Sequence, residues 1–202
     1  MFFHTDYWEN LSLKRQLAAC QKNIFQTDMI LKENARLRSL LELRQRASYR
    51  TITATVIGRD FNMLRPYLIL NKGRSSGVKK YAAIITDKGL VGKVLEVGEF
   101  SCKVMLVNDP DLSVPVINAR SQEQGIASGS LDGRCYLKFL DLDSDIKAGD
   151  EIITSGLNLT YPADIAVGRV LSVGTESSGL GKYAVLIPAV PLASVETVLV
   201  VI

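Results

Sequence analysis

The sequence predicts a mainly β protein, in which a long N-terminal α-helix that forms a coiled coil precedes two small related β-barrel domains. Three observations support this fold class. Residues 6–47 contain neither glycine nor proline and carry apolar residues at heptad spacing. From residue 51 onward, short β-branched runs alternate with Gly, Asp, Asn and Pro, as in sandwiches and barrels. Two stretches of this β region repeat each other closely.

The first 48 residues are predicted to form the helix, which serves as a dimerisation segment. A helix of about 40 residues is about 60 Å long, and a small barrel does not cover that length. Its apolar stripe therefore favours pairing with a second copy of the chain, and a helix folded back on its own body is the alternative. Thr27 and Asn34 weaken the seam. The seam consists of Leu13, Leu17, Cys20, Ile24, Leu31, Leu37 and Leu41.

The repeat lies in the β region. "VGKVLEVG" at residues 91–98 and "VGRVLSVG" at residues 167–174 are identical at six of eight positions. Tyr-Leu pairs at 67 and 136, and Ile-Ile-Thr triplets at 84 and 152, match in the same order. We therefore expect each copy to be the same strand of two similar barrels, in domains of residues 49–116 and 117–202. The apolar C-terminal strands could instead return to the first barrel.

Composition narrows the class of protein. The net charge of +3 is too small to favour nucleic acid as a partner, and three widely spaced cysteines form no disulfide framework. No run of about 18 apolar residues is present, so the sequence is predicted to contain no membrane span. The opening "MFFHTDYW" is aromatic, which is typical of chains that leave a bilayer and equally of a small cluster packed on the next helix.

The sequence gives little support for catalysis. A Ser-His-Asp triad needs a histidine, and the only one is His4, ahead of the helix. Ser75 and Ser76 lie near Lys79 as a local Ser-Lys pairing, so a cryptic or degenerate chymotrypsin-like β-barrel hydrolase is the alternative function. We expect no catalytic residue, and no nucleotide motif or other cofactor signature occurs.

One acidic run invites a calcium interpretation. In "DLDSDIKAGDEI", Asp141, Asp143 and Asp145 fit positions 1, 3 and 5 of a calcium loop. Ile146 and Ile152 stand where that loop requires Gly and Glu. An acidic solvated turn is therefore favoured over a calcium-dependent binding module, and no metal site is predicted.

Several segments in order resemble the rod shape-determining protein MreC family. "ENARLRSLLEL" resembles the end of its coiled coil, and "ATVIGRD" its first block. "LNKGRSSGVKKYAAIITDKGLVGKVLEV", "VMLVNDPDLSVPV", "QGIASG", "AGDEIITSGL" and "VETVLVV" resemble its later blocks. Each block alone is weak, and their common order carries the resemblance. The loop "GLNLTYPADIAVG" departs from the Gly-rich approach to proline that the family prefers.

The resemblance implies a non-catalytic scaffold of the bacterial cell-wall elongation complex that controls cell shape. It implies a homodimer or a higher assembly of it, no cofactor, and a location at the periplasmic or extracytoplasmic face of the inner membrane. The implied partners are the class B penicillin-binding transpeptidase of elongation, MreD and, indirectly, MreB. A full-length family member is membrane-anchored, so the sequence is interpreted as a fragment without its transmembrane helix.

Two loops are the candidate partner contacts, because their sequences differ most from those of the other connections in the β region. The first is the turn at residues 73–81, and the second is the extra loop at residues 157–164 of the second repeat. An ordinary connection is the alternative for both. The candidate residues are Arg74, Lys79, Lys80, Tyr81, Leu157, Leu159 and Tyr161.

Overall fold

The computed structural model describes residues 29–32, 34, 49–60, 65–158, 160–176 and 181–202. The chain divides into a unit that ends at Arg46 and a unit of Ala47–Ile202. In the first unit, residues 29–32 and 34 are helical, and Leu31 is exposed in the single chain. The other seam residues lie outside the described residues, so the coiled coil stays a prediction. Among the described residues, no helix has the length and apolar character to cross a membrane.

The second unit is built from twelve described strands, numbered in chain order, with short 3₁₀ turns at Arg74–Ser76 and Leu192–Ser194. The strands are β1 (Thr51–Asp60), β2 (Tyr67–Leu70), β3 (Ala83–Thr86), β4 (Gly89–Val97), β5 (Cys102–Leu106), β6 (Ser113–Asn118), β7 (Gln124–Gly129), β8 (Cys135–Leu140), β9 (Glu151–Thr154), β10 (Ala166–Thr175), β11 (Lys182–Pro188) and β12 (Thr197–Val201).

These strands close into two antiparallel six-stranded barrels, which confirms the two-barrel part of the predicted fold class. The first barrel has the order β1-β12-β3-β4-β5-β2, and the second has β10-β11-β8-β7-β6-β9. Alternating β-branched and polar residues place one face of each strand inside. Leu68, Ile84 and Val94 are fully buried in the first barrel, as are Ala127 and Ile152 in the second.

The two barrels have the same topology. Strands β1 to β5 correspond in order to β7 to β11, and β12 corresponds to β6, since every pairing in one barrel has its counterpart in the other. The repeated octapeptides fall on β4 and β10, and the Ile-Ile-Thr triplets on β3 and β9. The sequence repeat therefore marks equivalent strands, as predicted.

The final strands of the two halves are exchanged. β6 follows β5 in the chain but pairs with β7 and β9 of the second barrel, whereas β12 pairs with β1 and β3 of the first. The boundary placed after residue 116 falls inside β6 and is corrected, because all of β6 belongs to the second barrel. The range 117–202 likewise includes β12, which belongs to the first barrel.

Backbone-to-backbone contact joins the barrels. Gly89, at φ +144°, lies so close to β10 that a Cβ atom would sit 2.1 Å from the carbonyl oxygen of Ala166. Gly129 approaches the β5–β6 connection in the same way, with a Cβ position 2.1 Å from the carbonyl oxygen of Asn108. Only glycine allows these approaches, so the barrels are held in one fixed arrangement at these points.

Candidate functional site

A cleft of about 520 Å³ opens where the second barrel's β9–β10 loop meets the first barrel. We call it the junction cleft. It is lined by Tyr49, Lys79, Lys80, Tyr81, Ala82, Gly156, Asn158, Thr160, Tyr161, Pro162, Ala163, Val201 and Ile202. The two loops chosen from the sequence thus converge on one concave surface, although they are about eighty residues apart in the chain.

The predicted contact residues divide into two groups. Lys79, Lys80, Tyr81 and Tyr161 line the junction cleft. Arg74 and Leu157 are exposed but are not among its lining residues, and Leu159 lies outside the described residues.

Sequence reasoning missed the part of the lining that comes from the two ends of the second unit. Val201 pairs with Thr51 across β1 and β12, which brings Ile202 beside Arg50 through a backbone hydrogen bond of 2.9 Å. Tyr49 therefore lies near the C-terminal strand in the cleft wall. The sequence feature that could have predicted this part of the lining is the apolar C-terminal strand, which suggested a return of the chain to the first barrel.

Tyr81 has an unusual backbone in the cleft rim. Its φ is +68°, a left-handed conformation that costs a non-glycine residue about 1–2 kcal/mol. Its N–H donates to the carbonyl of Val94 at 2.9 Å, which fixes the turn. The ring is half exposed, and the ammonium groups of Lys80 and Lys93 lie 5.0 and 5.7 Å from its centroid. Both contacts are in the range of cation–π attraction.

Tyr161 forms the buried part of the cleft wall. Only 3% of the residue is exposed, and burial raises the pKa of its phenol. The hydroxyl is buried and has no hydrogen-bond partner among the described residues. The Tyr161 N–H donates to Asn158 Oδ1 at 3.1 Å, and the Thr154 hydroxyl both donates to the Pro162 carbonyl and accepts from the Ile165 N–H. These bonds fix the loop from which the ring projects.

The second barrel holds a charged network at the position equivalent to the Lys79–Ala82 part of the cleft. Gly149 donates its N–H to the Val170 carbonyl at 2.8 Å, as Tyr81 does to Val94 in the first barrel. This match, together with the aligned triplets, makes Asp150 the counterpart of Ala82 and Lys147 the counterpart of Lys79.

Asp150 is the centre of that network. Its carboxylate accepts from Arg120 Nε and Nη2, both at 2.8 Å, from Asn118 Nδ2 at 2.6 Å and from the Lys147 N–H at 3.0 Å. Hydrogen bonding to Arg120 holds the pKa of Asp150 well below its usual range. Arg120 Nη1 also binds Asp145 at 2.6 Å, which lowers the pKa of that carboxyl to about 2.

The network bears on the calcium interpretation. Asp145, one of the three proposed ligands, is paired with Arg120 at 2.6 Å and with Lys147 Nζ at 2.8 Å. Two cations on one carboxylate oppose the binding of a third. Across the residues that the structure describes, no group of three or more acidic, His or Cys side chains is arranged to hold a metal ion.

Three of the candidate nucleophiles, Ser75, Cys102 and Cys135, are in environments that do not activate them. The Ser75 hydroxyl donates to the Glu99 carbonyl at 2.8 Å. Cys102 and Cys135 are buried, and burial raises their thiol pKa values to about 11 and about 12. His4 lies outside the described residues.

A second exposed apolar surface lies on the outer face of the second barrel. Leu171, at the bulge of β10, and Ile187 on β11 are 55% and 53% exposed. Half-buried Val185 lies two residues before Ile187 on β11, so the two side chains share a face. None of these residues lines the junction cleft, so this face serves below as the comparison surface.

Comparison with known proteins points to one family. Residues 56–202 match the family model of rod shape-determining protein MreC, barrel core. The cell shape-determining protein MreC of Haemophilus influenzae is 32% identical over 193 residues, which cover 93% of this chain and 53% of that protein. The Listeria monocytogenes protein of the same name is 31% identical, covering 96% of this chain and 68% of its own length. The chain thus spans about half the length of the Haemophilus relative.

Solved structures agree on the fold. An MreC structure superposes with a TM-score of 0.77 at 28% identity, over 86% of this chain and 99% of that one. The major periplasmic domain of the cell shape-determining filament MreC gives a TM-score of 0.64 at 26% identity, over 75% and 95%. MreC from Helicobacter pylori, in a complex with the penicillin-binding protein PBP2, gives 0.63 at 16% identity, over 76% and 98%, and supports the fold alone.

Proposed function

The chain belongs to the rod shape-determining protein MreC family, and we propose that it is a non-catalytic scaffold of the bacterial cell-wall elongation complex. Its task is to bind and position the class B penicillin-binding transpeptidase of elongation at the periplasmic face of the inner membrane. Support comes from relatives that are named for their role in cell shape. The same fold occurs in a Helicobacter MreC that was solved in a complex with PBP2.

The junction cleft is the surface that we assign to the partner. The observation that carries this choice is the convergence of Lys79, Tyr81 and Tyr161 on one concave site. A scaffold needs rigid presentation, and the glycine-mediated contacts between the barrels supply it. MreD, and MreB indirectly, complete the proposed set of partners.

Self-association is the second part of the proposed function. The seam from Leu13 to Leu41 pairs two chains, so that one dimer presents two barrel pairs in the envelope. Light scattering tests this on the whole chain and on a version that begins at Tyr49. A dimer that becomes a monomer on truncation supports the seam, whereas two dimers move the contact to the barrels and two monomers contradict the pairing.

The transpeptidase contact is tested by size-exclusion chromatography with light scattering. The whole chain is mixed with the purified extracytoplasmic region of the elongation transpeptidase from the same bacterium. We expect a complex whose molar mass is the sum of its components. A dissociation constant of about 100 μM is already weak for specific partners. Two separate peaks at protein concentrations up to that value therefore contradict the proposal.

A further inference from the structure

We propose that the junction cleft binds an acidic segment of its partner, with one carboxylate held by Lys79 and Lys80 and a neighbouring apolar side chain packed on the tyrosines. The identity of the partner rests on the proposed function above. The chemistry of the bound segment rests on the two barrels themselves, because one barrel carries its own carboxylate at this position and the other does not.

The second barrel fills the equivalent position internally. Asp150 is 9% exposed there and is bound by Arg120, Asn118 and a backbone N–H, while Lys147 is paired with Asp145. Every charge in this network therefore has its counter-charge within the same chain.

The first barrel leaves the position open. Ala82 replaces the buried carboxylate and Gly77 replaces Asp145, so Lys79 lacks the acidic neighbour that Lys147 has. Among the described residues that line the cleft, two are lysines and none is acidic. A carboxylate from outside supplies the missing charge.

The apolar part of the cleft follows from the same comparison. Ile117 pairs with Ile153 in the second barrel, as Leu199 pairs with Ile85 in the first. Arg120 comes three residues after Ile117, and Ile202 comes three residues after Leu199. Arg120 and Ile202 therefore occupy corresponding places in the two barrels. Ile202 is 43% exposed in the cleft wall, where the second barrel has a guanidinium. The ligand must therefore combine a carboxylate with an apolar side chain.

Tyr81 gives independent support. The second barrel has Gly149 at the same position, with φ +91°, which is the residue that this backbone favours. The first barrel keeps a tyrosine at φ +68° with half of its surface exposed. A strained residue that glycine could replace without strain indicates that its side chain is needed for function. The ammonium groups of Lys80 and Lys93 also lie over the Tyr81 ring.

Tyr161 supplies a second independent observation. Its hydroxyl is buried without a partner in the described part of the chain, which is unfavourable in the free protein. The hydroxyl has less than 1 Å² of accessible surface in the free chain, so an oxygen of an entering segment can accept this hydrogen bond only if the ring turns outward. The proposal therefore includes that movement of Tyr161.

The first experiment measures affinity for the extracytoplasmic region of the transpeptidase by isothermal titration calorimetry at 50 and 300 mM salt. We expect salt to weaken binding and K79E/K80E to weaken it about tenfold or more. The control K88E/K138E makes the same change in charge outside the cleft and should change affinity less than twofold. L171E tests the apolar face of the second barrel. Loss of binding in L171E with no loss in K79E/K80E overturns the inference.

Two further variants separate binding from folding. Y81G should weaken binding at least threefold while the melting temperature stays equal or rises, because glycine relieves the left-handed backbone. Y161F should weaken binding by a smaller factor without lowering the melting temperature. Unchanged affinity in both variants contradicts the inference, and a lower melting temperature in both assigns the tyrosines to folding alone.

A second probe is independent of the transpeptidase. A twelve-residue peptide of alternating glutamate and leucine or phenylalanine is titrated into the whole chain and followed by NMR, beside the same peptide with lysine for glutamate. Shifts at Lys79, Lys80 and Tyr81 with the acidic peptide alone support the inference, even if the transpeptidase does not bind and the proposed function fails. Equal shifts with both peptides, or none, overturn the inference even if the transpeptidase binds.

Discussion

Removing the Asp150 carboxylate tests the charged network in the second barrel. In D150A, Arg120, Asn118 and the Lys147 N–H all lose an acceptor at 2.6–3.0 Å. Breaking a fully buried ion pair costs about 3–5 kcal/mol. The Arg120 side chain is 42% exposed and the Asp150 side chain is 8% exposed, so water recovers part of this cost. We expect a loss of about 2–3 kcal/mol in the free energy of unfolding.

Urea denaturation at pH 7 measures this loss, with D145A as the matched control. The Asp145 side chain is 51% exposed, so we expect D145A to cost much less than D150A. A D150A loss below about 0.5 kcal/mol, or an equal loss in both variants, would refute the reasoning.

The difference in unfolding free energy between wild type and D150A should depend on pH. The folded-state pKa of Asp150 is lowered, so its contribution is complete above the unfolded pKa of about 3.9 and is lost as the pH falls toward the folded value. The stability difference between wild type and D150A should be constant from pH 7 to 5 and shrink below about pH 4. A difference that grows on acidification contradicts this sign.

Three further predictions concern the barrels. G89A should lose about 2 kcal/mol or more in urea, because its Cβ would meet the Ala166 carbonyl at a positive φ. A chain ending at Val195 lacks β12, and NMR should show the first barrel disordered; an intact first barrel would contradict the strand exchange. Cys102 and Cys135 should react with a thiol reagent at pH 8 only after denaturant is added, and rapid native labelling would refute their burial.

Local patterns in the sequence were sufficient for most of the strands and for their repetition. In the octapeptides on β4 and β10 the first, second and fourth residues are buried and the third is more exposed, so equal sequence gives equal placement there. The exchange of β6 and β12 could not be read in the same way. Both are short apolar strands, and the choice between two similar barrels depends on non-local pairing.

In the candidate site, too, local sequence predicted the parts but not how they come together. Each cleft loop was identified by its own composition, but their convergence depends on how the barrels pack. The acidic run beginning at Asp141 suggested a metal cation. In the structure Asp145 binds two side-chain cations instead: Lys147 from the same run and Arg120, which lies 25 residues before Asp145. Patterns within a short window carry no information about such a partner.

The most direct test of the scaffold account is cell shape in the source bacterium. The substitutions are introduced into the native gene, and the ratio of cell length to width is measured for wild type, K79E/K80E and K88E/K138E. The account predicts rods for wild type and K88E/K138E, and rounded cells for K79E/K80E at equal protein abundance. Rods with K79E/K80E, or rounded cells with the wild-type sequence, would contradict it.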